Sequence, residues 1–327
     1  MPVDPLEESP RAPGRPAPGL VVAVVGATAT GKSDLAVALA RRFDGEVVGA
    51  DASQLYRGMD IGTAKLTPDE RAGVPHHQID VLDVREEATV AAYQRHARAD
   101  VAAVLARGRV PVVAGGSGLY VRALLDRLDI PPTDPEVRAR LEARLAVEGP
   151  AALVRELAAA DPVAAAAIEP GNTRRVVRAL EVIELTGRPF SATMPTRELL
   201  RPTVIVGLRL ERGVLDRRVE RRTRAMFDAG LVDETRALVD LGLREGRTAS
   251  RAVGYAQALG VIDGRWGVDD AVADTAQRTR RLVRRQESWF GPDPRIHWVD
   301  AAAPDLVERV AALVAEQPQP RAGSAGR

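Results

Sequence analysis

Short apolar runs and amphipathic stretches alternate along most of the chain. Leu20 to Val25 is a β-branched run leading into glycine, and Lys32 to Phe43 then repeats apolar residues at helical spacing. Glu46 to Ala50 reads as a second strand that delivers Asp51 at its carboxyl end. Val90 to Arg107 reads as a helix, and Val110 to Ala114 as a strand running into Gly115 and Gly116. Thr203 to Leu210 and Arg295 to Val299 are later strand candidates. Strands separated by helices predict an α/β fold with a doubly wound parallel sheet, which takes ligands at the carboxyl ends of its strands.

The pattern changes twice. Pro131 and Pro132 open a run of alanine-rich helical segments with no convincing strand, so residues 131–201 read as a helical insertion. The core then comprises residues 20–130 and 202–315, and from Gly213 to Phe290 it is mostly helical and rich in arginine. Residues 2–19 carry six prolines and no periodicity, and the C-terminal end resembles them. Residues 1–19 and 316–327 are therefore expected to be disordered tails.

Composition narrows the class. A hydrophobic fraction of 45% with 28% charge is that of a soluble globular protein. The absence of cysteine excludes disulfides, thiolate zinc sites and a cysteine nucleophile. No apolar run reaches signal-peptide or membrane-spanning length, so a cytoplasmic protein without membrane contact is expected. The net charge of +1 hides an uneven distribution: Arg209 to Arg224 holds seven arginines against three acids, and Asp274 to Arg285 five against one. Such stripes can track a phosphate backbone, although either alone reads better as a solvated face laced with ion pairs. Among 46 basic residues only Lys32 and Lys65 are lysines, and a compact ammonium does not interchange with a guanidinium fork.

Lys32 lies in the chain's most specific local motif. Gly26 to Ser33 reads GATATGKS, the phosphate-loop pattern G-x-x-x-x-G-K-[ST], between a strand and a helix as the motif requires. Gly26, Thr28, Ala29, Thr30 and Gly31 would turn backbone N–H groups toward an anion at a helix N-terminus. Lys32 would reach the terminal phosphate, and Ser33 would ligate Mg²⁺. The motif alone leaves a kinase, a GTPase and a transferase open. Lys65 is followed by Leu66 and Thr67 and cannot belong to a guanine-recognition N-K-x-D motif, which disfavours the GTPase. His76 and His77 have no third ligand in view and read as structural groups rather than a metal site.

The remaining motifs carry a resemblance. ADASQLYRGMDIGTAK (Ala50 to Lys65), VPHHQID (Val74 to Asp80), AGGSGLYVRALL (Ala114 to Leu125), RRVVRALEVIELTGRPFS (Arg174 to Ser191), SRAVGYAQALG (Ser250 to Gly260) and RRQESWF (Arg284 to Phe290) occur in that order. Together they resemble the tRNA dimethylallyltransferases, also called isopentenyl-tRNA transferases, over about Val21 to Asp300. The resemblance implies a P-loop NTPase-like fold whose phosphate loop binds the diphosphate of dimethylallyl diphosphate instead of ATP. It implies transfer of the dimethylallyl group to N6 of the adenosine 3′ of the anticodon, with Mg²⁺ as cofactor. Asp51 then matches the general base, with a structural cap or an indirect Mg²⁺ ligand as its other readings. Lys32 and Arg251 match groups acting on the diphosphate.

The resemblance also implies RNA contacts at Asp51, Ala52, Ser53, Gln54, Ser117, Arg138, Arg174, Arg175, Arg178, Arg251, Gly254, Tyr255, Arg285, Gln286 and Trp289. Trp289 reads equally as a buried amphipathic anchor, and Gly254 and Tyr255 as helix packing. Ser117 stands where the family more often has threonine, Ala27 where it has proline and Thr30 where it has serine. None of these departures removes a needed group. Competing readings are an adenylate isopentenyltransferase, a phosphate-loop small-molecule kinase and a binding-only relative. The chain is expected to act as a monomer.

Overall fold

The computed structural model describes residues 16–169, 171–193 and 197–316, so the expected tails lie almost wholly outside the described residues. The chain divides into two compact units, residues 1–125 with 201–327, and residues 126–200.

The larger unit is built on six parallel strands: β1 (Val21–Gly26), β2 (Gly45–Gly49), β3 (His76–His77), β4 (Val110–Gly115), β5 (Thr203–Arg209) and β6 (Ile296–Asp300), in the spatial order β3-β2-β4-β1-β5-β6. β1 is buried at every position, as expected of a central strand covered on both faces. Its helices are α1 (Lys32–Phe43), α2 (Val90–Ala106), α3 (Gly118–Leu125), α8 (Arg212–Asp228), α9 (Leu231–Asp240), α10 (Tyr255–Ile262), α11 (Val268–Phe290) and α12 (Leu306–Ala315). Val22, Val24, Val112, Val204 and Val206 form one core with Leu35, Leu39 and Phe43 of α1 and Val310 and Val314 of α12. Helices α2, α3 and α11 pack against β2, β4 and β1 from the other side, which makes the sheet doubly wound.

Ala17 corrects the expected tail boundary. The Leu20 N–H donates to its carbonyl at 3.1 Å, and this turn brings Ala17 into the core at 4% exposure. The second correction is β3. Only two residues long and polar, it carries no periodicity to read, yet Val47 and Val48 pair with His76 and His77.

The smaller unit holds α4 (Pro135–Glu148), α5 (Pro150–Ala160), α6 (Pro162–Ala167) and α7 (Thr173–Thr186). Their ends follow local chemistry. The Asp134 carboxylate accepts the N–H groups of Glu136 and Val137 ahead of Pro135, Asp161 caps α6 ahead of Pro162, and Asn172 caps α7. Gly187 closes α7 at φ 65°. Leu141, Leu153, Leu157, Val176, Val177 and Leu180 form its core, each worth about 1.5–3 kcal/mol of burial. An antiparallel bridge between Asp126 and Leu199 joins the two ends of the unit.

Candidate active site

The phosphate loop follows β1 directly. Gly26 has φ 137° and Gly31 φ 89°, conformations that L side chains resist, and Ala29 between them has φ 66°. A Cβ on Gly26 would also lie 2.8 Å from the Leu208 carbonyl oxygen of β5. Thr30 Oγ1 and Lys32 Nζ both donate to the Ala27 carbonyl, at 2.8 and 2.6 Å, arching the loop over its own backbone. The N–H groups of Ala29, Thr30 and Gly31 donate to nothing among the described residues and lead into the free N-terminus of α1. This is an anion cradle.

Lys32 is the best-tuned group in it. Burial lowers its ammonium pKa to about 8, against the attraction of Asp51, and Arg222 pushes it down further. Arg222, on α8, donates to Thr28 Oγ1 and shares the field of Asp51, while burial lowers its own pKa. Arg222 is the arginine bonded to the phosphate loop, and the sequence reading did not single it out. Its signal was position: it follows the buried Leu215 and Val219 on one face of α8.

Asp51 emerges from the end of β2. Its carboxylate accepts the Ser53 N–H at 2.9 Å, a local turn that holds the side chain in place. The end of β4 lies so near that a Cβ on Gly115 would sit 2.1 Å from the Ala50 carbonyl oxygen. That approach brings in Ser117, whose N–H donates to Ala50 O at 3.3 Å and whose hydroxyl accepts the Ala52 N–H at 3.3 Å. Gln54 donates to the Thr63 carbonyl at 3.1 Å. Behind Asp51 stand Tyr93, which donates to Gly49 O at 2.9 Å, and Tyr120, with ring centroids 4.4 Å apart. Burial first, then Tyr56 and the Asp51 charge, push the Tyr120 hydroxyl pKa upward. Neither tyrosine was singled out from the sequence.

Ser33 fits the part assigned to it toward Mg²⁺. It is partly exposed in the first turn of α1, and its hydroxyl has no hydrogen bond among the described residues. No cluster of three or more His, Asp or Glu residues suited to a metal occurs among the described residues. A single hydroxyl suits Mg²⁺, which keeps waters and substrate phosphates as its other ligands.

Several residues expected to meet RNA do other work. Tyr255 is wholly buried, its hydroxyl bonded at 2.5 Å to Glu234, whose carboxylate accepts the N–H groups of Asp60 and Ile61 at 3.2 and 2.8 Å. A Cβ on Gly62 would meet the Tyr255 ring at 2.5 Å. Tyr255 thus moors the 60–62 loop and has no face for RNA. Gly254, at φ 97°, gives its N–H to Gln257 Oε1 at 2.8 Å and starts α10. Gln286 is 8% exposed with both ends of its amide bonded to protein backbone. Burial corrects all three as direct RNA contacts.

Arg251 and Arg285 are exposed, and their side chains make no ion pair or hydrogen bond among the described residues. Trp289 combines both of its readings. Its indole is packed so closely that a Cβ on Gly118 would fall 2.1 Å from it, yet the residue is 45% exposed. In the smaller unit Arg174 and Arg175 are exposed, whereas Arg138 and Arg178 donate to Glu181, at 2.5 and 2.9 Å.

Outside the site, Lys65 Nζ donates to the Tyr56 carbonyl and to Asp60 and Asp80, at 2.6, 2.7 and 2.5 Å, tying the ends of its segment together. His77 Nε2 lies 2.6 Å from the buried Glu46, consistent with a structural histidine. No helix among the described residues is long and apolar enough to cross a membrane.

The comparisons with known proteins agree with this geometry. A family model described as "IPP transferase" matches residues 54–293. A tRNA dimethylallyltransferase of Streptomyces avermitilis is 59% identical over 305 residues, covering 93% of this chain and 97% of that protein. One of Kineococcus radiotolerans is 60% identical over 304 residues, with 90% and 96% covered. The crystal structure of a tRNA isopentenylpyrophosphate transferase from Bacillus halodurans superposes with a TM-score of 0.67 at 39% identity, over 91% of this chain and 96% of that one. A eukaryotic dimethylallyltransferase acting on tRNA gives a TM-score of 0.76 at 26% identity, over 90% and 77%. With that family model matching residues 54–293 and a relative 59% identical over 93% of the chain, the chain belongs to the IPP transferase family.

Proposed function

We propose that this chain transfers the dimethylallyl group of dimethylallyl diphosphate to N6 of the adenosine 3′ of the anticodon in tRNA, releasing diphosphate. The observation that carries the reading is the pairing of a phosphate loop with a strand-end carboxylate: Lys32 and Asp51 follow the carboxyl ends of β1 and β2, near enough for the Asp51 charge to act on Lys32. One half is built for an anion, the other for a proton. Relatives this similar named for the same reaction support the same assignment.

In this mechanism the diphosphate rests on the N–H groups of Ala29 to Gly31 and the N-terminus of α1, with Lys32 and Arg222 beside it. These groups favour the charge that builds on the diphosphate oxygen as its bond to the allylic carbon breaks. Ser33 would hold Mg²⁺, which would supply further neutralisation of charge on the leaving group. Adenine N6 forms the new bond to that carbon while Asp51 accepts the proton N6 loses. The base must leave its stack to reach the site, as in other enzymes that modify a nucleobase. Exposed Arg251, Arg285, Arg174 and Arg175 supply RNA contacts, with Trp289 offering a stacking face. The enzyme acts in the cytoplasm, as a monomer.

The test is transfer of labelled dimethylallyl diphosphate to unmodified tRNA with Mg²⁺, AMP serving as a parallel acceptor. Label should enter tRNA, and Asp51→Ala should lose most turnover, about a hundredfold or more for a general base, while still binding tRNA. Label in AMP alone would make the chain an adenylate enzyme, and unchanged turnover in Asp51→Ala would remove Asp51 from the base role.

A further inference from the structure

Helix α11 turns an apolar stripe inward: Thr275, Ala276, Val283 and Phe290 are buried, and Arg281, Arg284 and Arg285 face solvent. Gln286 occupies this inward stripe, three residues after Val283 and four before Phe290, where helix packing alone would call for an apolar residue. A buried primary amide costs free energy unless both its ends are bonded. Here both are, and to two different loops. Oε1 accepts the Thr28 N–H at 2.9 Å, and Nε2 donates to the Gly116 carbonyl at 3.0 Å. The fit is close, since a Cβ on Gly116 would lie 2.4 Å from Nε2 and 3.2 Å from the Gly26 carbonyl oxygen.

The two loops are the two halves of the site. Thr28 lies in the phosphate loop and its hydroxyl accepts from Arg222. Gly116 precedes Ser117, which is bonded to both Ala50 and Ala52 on either side of Asp51. We infer that Gln286 is a positioning residue that sets the distance between the diphosphate cradle and the Asp51 loop. Because it sits on α11 next to the exposed Arg284 and Arg285, it also links a candidate RNA-binding face to that distance. Only an amide of this length serves. Leucine fills the space but leaves the Thr28 N–H and Gly116 C=O unbonded, and glutamate sets a carboxylate oxygen against the Gly116 carbonyl.

The inference rests on the diphosphate-site reading above, and the two can fail separately. Inorganic diphosphate binding with Mg²⁺ and no tRNA is measured for the wild type, Gln286→Leu and Gln286→Glu, and tRNA binding is measured without donor. Both variants should bind diphosphate about fivefold or more weakly, the lower range for a buried bond left unmade. Their tRNA affinity should stay within about twofold, since the amide has no face for RNA. Equal diphosphate affinity in variants and wild type would overturn the inference, as would a loss confined to tRNA. A wild type that binds no diphosphate would instead overturn the reading of the site. Should neither variant fold, amide exchange in the unmodified protein decides: the Thr28 N–H should exchange slowly, and exchange at the rate of an open loop would refute the clamp.

Discussion

Lys32 sits where its own charge is disfavoured, and that gives its titration a use. Burial places its pKa at about 8 from an ordinary 10.5, so the free protein holds a mixture of ammonium and amine just above neutral pH. A diphosphate prefers the ammonium. Affinity for inorganic diphosphate should therefore be flat below about pH 7 and fall above pH 8, by at most about tenfold per unit. Lys32→Met should bind weakly at every pH and lose this slope. A wild-type profile flat to about pH 9.5 would mean that Lys32 keeps its proton and that burial does not dominate. For folding the sign is opposite to that of a stabilising pair. The unfolded chain binds the proton more tightly, so stability rises as pH climbs from about 8 toward 10.5. Legibility at this scale was uneven. Lys32, Ser33 and Asp51 could be read from motif and position. Arg222 could not, because in a run of arginines only the packing of α8 separates the one turned toward Thr28 from those turned to solvent. Tyr255 and Gln286 were placed on RNA for the converse reason: a motif marks a residue as needed without saying whether it is needed inside or outside.

Among elements, α1, α2 and the apolar strands were legible to within about a residue or two, the usual uncertainty of element ends, while α8 to α11 were legible only as one mostly helical stretch. What escaped was β3, held by backbone pairing to β2, and by a charge cluster that no periodicity encodes. Burial would raise the Glu46 pKa, but bonds from Arg107 and His77 hold it at about 2. Helices α4 and α7 show the same device with a consequence for RNA binding. The Glu181 side chain is fully buried and accepts from Arg138, Arg178 and the Asp134 N–H at 2.5, 2.9 and 2.9 Å. Burial pushes its carboxyl up, and these partners more than offset that, leaving its pKa below the ordinary value. Its contribution is thus present above the unfolded carboxyl's titration and lost as pH falls through the folded one. Glu181→Ala should destabilise the chain by about 1–3 kcal/mol, less than for a wholly dry pair because both arginines can rehydrate. Denaturant melts check this, and a change under about 0.5 kcal/mol would contradict it. Arg138→Ala and Arg178→Ala should lower both stability and tRNA affinity. The exposed Arg174 and Arg175 should lower affinity alone when replaced. Equal stability losses in both sets would show that the ion pairs do not distinguish them.

For the molecule as a whole, a net charge of +1 would give a weak attraction to RNA if it were spread evenly. It is sorted instead. On α8 and α11 many cations are already matched: Arg212 to Asp216 and Glu287, Arg224 to Asp269, Arg278 to Asp274 and Arg280 to Glu220. Arg217, Arg221, Arg281, Arg284 and Arg285 are exposed, and their side chains make no ion pair or hydrogen bond among the described residues. Only a cation that neutralises a phosphate in the complex releases the counterions that make binding salt-dependent. The unmatched set should therefore carry the salt slope and the matched set should not. Replacing Arg284 and Arg285 together should weaken tRNA binding and reduce the slope of log affinity against log salt by roughly 1.4–1.8, about 0.7–0.9 per phosphate contact. Replacing Arg224 and Arg280 should leave it nearly unchanged, since their carboxylate partners would have to be given up first. Titrations from about 50 to 200 mM salt separate the cases. Equal losses of slope in both pairs would mean that the ion pairs open onto the RNA, and the charge sorting on these helices would then serve the free protein only.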